Sequence, residues 1–116
     1  MGFLKNIRSP WLKRDYTKKV FFIKVKYLVK HLGNHDKDKI LGRTSFDHQE
    51  KWQDTKEQKV TAFLEQGKDP LDFEPIRLVI HESKEEFRVE DGISRLRAFY
   101  RKKERLIRAE IRIGDW

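Results

Sequence analysis

The most regular pattern in the chain lies near its end, where Ile107, Ala109, Ile111 and Ile113 alternate with Arg108, Glu110 and Arg112 ahead of Gly114. A period of two marks a half-buried strand, so a last strand is predicted from Arg105 or Leu106 onward. Ile76, Leu78 and Ile80 alternate with Arg77, Val79 and His81 in the same way, and residues 87–90 predict the antiparallel partner of that strand across a charged turn at 82–85. The β-branched and aromatic run at 20–29 predicts the first strand, with Phe21, Ile23, Val25 and Tyr27 on one face. A segment of that length would also suffice for a helix.

Helical spacing governs two other segments. Residues 47–66 carry Val60, Phe63 and Leu64 as an apolar stripe, with Trp52 two turns earlier. Ser45 or Asp47 can cap that helix, Glu50 completes a capping box, and Gly67 stands where a terminating glycine belongs. The second helix covers 93–103, with Ile93, Leu96 and Tyr100 on one face and Phe99 beside them. Residues 31–46, holding Gly33-Asn34, a run of alternating charge and Gly42, predict a loop, and 68–75 with Pro70 and Pro75 a turn-rich link. The element order predicts a small α+β domain, a mixed sheet of about four strands with two main helices. Residues 1–19 lack a clean period and predict a basic N-terminal arm with one helical turn around Trp11 and Leu12, ahead of a single domain at 20–116.

Charge changes the picture by its distribution. The net charge of +8 resolves into +5 over residues 1–19, +4 over 20–46, −6 over 47–91 and +5 over 92–116. Two basic ends around an acidic middle point to a nucleic-acid or nucleotide partner. The chain has no cysteine, which excludes disulfides, thiol catalysis and cysteine-type zinc sites. No apolar run approaches the roughly 18–20 residues a membrane crossing needs, and the basic N-terminus lacks the apolar core of a signal peptide. No membrane partner and a cytoplasmic location are therefore expected.

Candidate chemistry concentrates at Glu90-Asp91-Gly92-Ile93-Ser94-Arg95, where the predicted strand turns into the second helix. A helix N-terminus carries unpaired N–H groups and partial positive charge, which suit an anion. Gly92 allows close approach to the main chain. The N–H groups of Ile93 and Ser94 would face the anion, and Arg95 can fork onto phosphate oxygens. Adjacent strand residues point to opposite faces, so only one of Glu90 and Asp91 can face such a pocket; Asp91 is the candidate base or Mg2+ ligand. His31 and His35 have metal-ligand spacing only on a helix, which Gly33 and Asn34 interrupt, so no metal site is predicted there.

These residues resemble the ParB/sulfiredoxin superfamily, specifically the ParB N-terminal or ParB-like nuclease domain. The resemblance runs from about Val20 to Ile113. It takes in the helix ending at Gly67, Pro75-Ile76, and the turn Asp91-Gly92-Ile93-Ser94-Arg95 followed by Ala98. It implies a phosphate-binding turn for a nucleotide at Gly92, Ile93, Ser94 and Arg95. Sulfiredoxin places its catalytic cysteine where Ile93 stands, so that chemistry is ruled out. Ser94 stands where family members often carry histidine. The downstream nucleotide motif, helix-turn-helix and dimerisation domain of the partitioning proteins have no counterpart in these residues, so partitioning by this chain alone is not expected.

The expected function is that of a stand-alone ParB-like domain of a phage or plasmid, binding a nucleotide or a nucleic-acid backbone. Arg97, Arg101, Lys13, Arg14, Lys18 and Lys19 would widen the positive field. Two alternatives stand beside it. One is an enzyme of phosphodiester cleavage or phosphoryl transfer, with Asp91 catalytic and Mg2+ and a nucleoside triphosphate as cofactors. The other is a non-catalytic protein-interaction module using the acidic helix at 47–66.

Overall fold

The computed structural model describes residues 12–15, 20–42, 51–81 and 86–114. In chain order the elements are β1 (Leu12–Asp15), β2 (Val20–Lys24), α1 (Val25–Lys30), α2 (Asn34–Ile40) and α3 (Lys51–Glu65). A short 3-10 turn at Pro70–Asp72 follows, then β3 (Ile76–His81), β4 (Glu86–Asp91), α4 (Ile93–Arg101) and β5 (Leu106–Ile113). The sheet order is β1-β2-β5-β3-β4. Among the described strand pairs β3–β5 is parallel, and β1–β2, β2–β5 and β3–β4 are antiparallel. The fold is a small α+β domain with a mixed sheet, as the alternating patterns predict.

The core forms where the apolar sheet residues meet α1, α2 and α4. Ile23, Ile76, Leu78, Ile80, Phe87 and Ile107 are fully buried there with Leu28, Ile40, Leu96 and Phe99. Each such side chain contributes about 1.5–3 kcal/mol by leaving water. Phe73 closes one end of the core with its ring edge-on to Phe99, centroids 5.5 Å apart.

Three expectations are corrected. The basic segment at 12–15 forms a fifth strand, pairing Leu12 with Ile23 and Asp15 with Val20, so it is neither a helical turn nor outside the domain. The first strand does not run to 29. It stops at Lys24, whose partner Leu106 begins β5, and Val25 N–H closes the pairing on the Arg105 carbonyl at 2.9 Å. With no partner strand beyond that point among the described residues, backbone groups are satisfied by turning helical. Val25, Leu28 and Val29 then bury at i, i+3 and i+4.

The third correction concerns 34–40, which is a helix rather than a loop. Gly33 lies ahead of it with φ −61° and ψ 156°, and the Gly33 carbonyl accepts the first helical N–H from Lys37 at 2.9 Å. Ile40 anchors it in the core. The helical register does not assemble a metal site. His31 precedes the helix and stacks on Tyr27 with centroids 4.2 Å apart. Among the described residues no group of three or more histidines and carboxylates could hold a metal ion.

The long helix runs from Lys51 within the described residues and ends as predicted; its proposed caps Ser45 and Asp47 lie outside them. Gly67 takes φ +91°, with Gly67 N–H bonded to Leu64 O at 3.1 Å and Lys68 N–H to Phe63 O at 3.0 Å. That is the paired-bond terminus a left-handed glycine permits. Phe63 is exposed rather than part of the buried stripe, and the Lys68 ammonium lies 5.2 Å from the centre of its ring.

Candidate functional site

The turn at Glu90–Arg95 sits on a cleft of about 560 Å³. Its floor and one wall are the end of β4 and the first turn of α4, from Val89 to Arg95. The opposite wall is α3, which contributes Lys56, Lys59 and Val60, and Glu74 closes the rim. Asp91, Gly92, Ile93, Ser94 and Arg95 all line this cleft. The sequence pattern did not find Lys56, Lys59 or Glu74. They lie far along the chain, and only the packing of α3 beside α4 delivers them.

Gly92 is at φ 101° and ψ 21°, a left-handed conformation that favours glycine. Space also excludes a side chain: a Cβ there would lie 2.5 Å from Ile76 Cγ2. The glycine thus serves the close packing of the turn on β3. The Gly92 carbonyl accepts the Leu96 N–H at 2.9 Å, which starts the helix at this residue, and no side chain caps it.

Asp91 and Glu90 are separated by a register shift. Leu78 pairs with Val89 but Arg77 pairs with Asp91, so Glu90 is the extra residue of a β-bulge. Glu90 is gripped through two oxygens by Arg112 of β5. That hydrogen bond holds the Glu90 carboxyl below its ordinary range and raises the Arg112 guanidinium. Both carboxylates line the cleft, contrary to the expectation that only one would, because the bulge breaks the strand alternation; the Glu90 carboxylate is held by Arg112. Asp91 is exposed, lines the cleft, and has no ion pair among the described residues.

Arg95 donates from Nη1 to the Glu74 carbonyl at 2.7 Å, which fixes its guanidinium at the cleft wall. Its Nε is buried and has no hydrogen-bond partner among the described residues. Ile93 is half-buried against the core and Ser94 is buried.

The proposed positive field is corrected in part. Arg97 is only 8% exposed and faces α3, with Nε 3.5 Å from the Glu57 carboxylate. Arg101 Nη1 binds the same carboxylate at 2.8 Å. Both arginines, at i and i+4 on α4, clamp α4 to α3 instead of facing a polyanion at the turn. Their partner was legible in retrospect: Glu57 stands three residues before Val60 and seven before Leu64, on the stripe that packs inward. Lys13 and Arg14 belong to β1, and Lys18 and Lys19 lie outside the described residues.

No helix among the described residues is long and apolar enough to cross a membrane. No protein-family model matches this chain, nor does any curated protein or solved structure.

Proposed function

We propose that this domain binds a phosphorylated ligand, a nucleotide or a nucleic-acid phosphate, in the cleft at Asp91–Arg95, in the manner of the ParB-like domains its sequence resembles. The observation that carries the reading is Arg95, pinned by Glu74 on a cleft that also presents the first turn of α4, Lys56 and Lys59. A cation held in one place loses less entropy on binding. Partial positive charge at the helix start adds to it, and Lys56 and Lys59 supply charge from across the cleft.

A thermal-shift series of nucleoside mono-, di- and triphosphates, with and without Mg2+, tests this on the native protein and on Arg95→Ala. Stabilisation of the native protein that Arg95→Ala loses is the expected result. No shift with any phosphorylated compound, or an equal shift in the variant, would rule the site out.

A second reading has its own support in Asp91. A carboxylate without an ion pair among the described residues, on the same cleft as three cations, suits a Mg2+-bound phosphate and a phosphoryl-transfer or phosphodiester-cleaving reaction. There Asp91 would hold the metal or take the proton of the attacking group. Mg2+-dependent hydrolysis of a nucleotide or oligonucleotide that Asp91→Asn abolishes is the expected signature. Full activity in that variant removes Asp91 from the chemistry.

A further inference from the structure

A second and larger cleft, of about 900 Å³, opens at the other end of α4. It shares no lining residue with the first. The nine residues of α4 separate the two by about 13 Å at the helical rise. Three lysines enter from one side: Lys24 at the end of β2, and Lys26 and Lys30 on α1. Lys37 enters from α2, and Arg101, Lys103 and Arg105 from the connection of α4 to β5. Glu104 is the lone carboxylate among the lining residues. Among the described residues only Arg101 of these cations is paired with a carboxylate. Between them the cleft is apolar, formed by Val25, Val29, Leu41 and the half-buried Tyr100.

Basic residues at helix C-termini are ordinary, because they complement the helix dipole. Lys30, Lys37 and Arg101 each end a helix in that way. Lys24, Lys26 and Arg105 add to that charge without complementing the last turn of any helix. So many like charges around one concavity repel one another, at a cost that a bound polyanion would offset. An apolar floor with an aromatic side chain further restricts the ligand. A duplex keeps its bases stacked inside and would touch the rim alone. A single strand can place phosphates on the rim and lay a base against Tyr100 and the aliphatic floor.

We propose that the cleft at the C-terminal end of α4 is a binding site for single-stranded nucleic acid. Lys24, Lys26, Lys30, Lys103 and Arg105 contact phosphates, and Tyr100 supports a base. This site is independent of the phosphate cleft at Asp91–Arg95.

The test is fluorescence anisotropy with a labelled thymidine oligomer of about 12 nucleotides. The logarithm of affinity is expected to fall against the logarithm of salt, between about 50 and 200 mM, with a slope of roughly −3. Lys26 and Lys30 are both exposed, so the Lys26→Glu/Lys30→Glu protein keeps its fold, which its circular-dichroism melt verifies. It is expected to bind at least about tenfold more weakly. Tyr100→Leu keeps the core filled and is expected to lose about fivefold. The Lys26→Glu/Lys30→Glu protein is expected to keep the native response to nucleotides, since neither lysine lines the Asp91–Arg95 cleft. Four results would each overturn the proposal. These are no binding at low salt, unchanged affinity in the Lys26→Glu/Lys30→Glu protein, tighter binding of a duplex of equal length, or displacement of the oligomer by phosphatidylglycerol vesicles. A loss confined to Arg95→Ala would place the oligomer in the other cleft, and so also counts against it.

Discussion

Gly92 lies directly against Ile76, so that the missing Cβ of the one would sit 2.5 Å from Cγ2 of the other. Gly92→Ala therefore brings both a left-handed alanine and an overlap that β3, buried at Ile76, cannot relieve cheaply. A loss of about 2–4 kcal/mol in urea unfolding is expected. The double variant with Ile76→Ala removes part of the overlap, so its cost is expected to be less than the sum of the two single variants. Strict additivity would mean that the two residues do not meet.

Glu57 is the hinge pin between α3 and α4. Glu57→Ala leaves Arg97 buried without that carboxylate, and a loss of about 3 kcal/mol is expected for a broken buried pair. Arg101 has a side chain 51% exposed, so Arg101→Ala is expected to cost under about 1 kcal/mol. Equilibrium unfolding of the two variants side by side decides the matter. An equal loss for both would show that burial of Arg97 does not set the penalty.

Asp36 accepts the Val89 N–H at 2.8 Å and so covers the outer edge of β4. Burial pushes its carboxyl above the usual range, against the opposing pull of that N–H. A folded pKa above the unfolded one means that the folded state holds the proton more tightly. The contribution to stability is then complete below the unfolded value of about 4, and it is lost as pH rises through the raised folded pKa. Asp36→Asn keeps an acceptor without the charge. It is expected to match or exceed the native protein near neutrality, with the difference shifting toward the native protein as pH falls through the raised folded value. Asp36→Ala strands the Val89 N–H and is expected to lose about 1–3 kcal/mol. Glu90, lowered by Arg112, has the opposite sign: its contribution is present at neutral pH and is lost as pH falls through its folded value. Unfolding curves for native and variant proteins at matched pH cancel that background. A native-to-Asn difference that does not move with pH would exclude a raised Asp36.

Lys103 ends α4 with φ +58° and the same paired bonds that Gly67 makes at the end of α3: Lys103 N–H to Tyr100 O at 3.1 Å and Glu104 N–H to Phe99 O at 2.9 Å. Lys103→Gly relieves the left-handed strain and is expected to add about 0.5–1 kcal/mol, or a few degrees in Tm. A lower Tm would mean that the lysine side chain contributes more to the folded state than its backbone costs.

The period-two runs at 76–80 and 107–113 and the Asp-Gly turn were legible in the sequence because each is a local matter. A strand with one buried face must alternate, and a turn residue in the left-handed region favours glycine. The end of α3 at Gly67 was legible for the same reason, whereas α4 stops at Arg101, two residues short of the expected end, on a left-handed lysine that no local signal marks. The fate of 20–29 was not. Its residues satisfy both a strand and a helix period, and the point of change at Lys24 is set by where β5 begins, about eighty residues further on. Likewise 34–40 looks like a loop by composition and becomes a helix because Ile40 reaches the core and Asp36 reaches β4. Charge was the least legible quantity of all. A count of arginines and lysines does not distinguish Arg97, buried against Glu57, from Lys26 and Lys30, gathered around an open cleft. The sequence determined how many charges there are and their order along the chain. Tertiary packing decided which were neutralised inside and which were left to face a ligand, because a charge acts through the partners within a few ångströms of it.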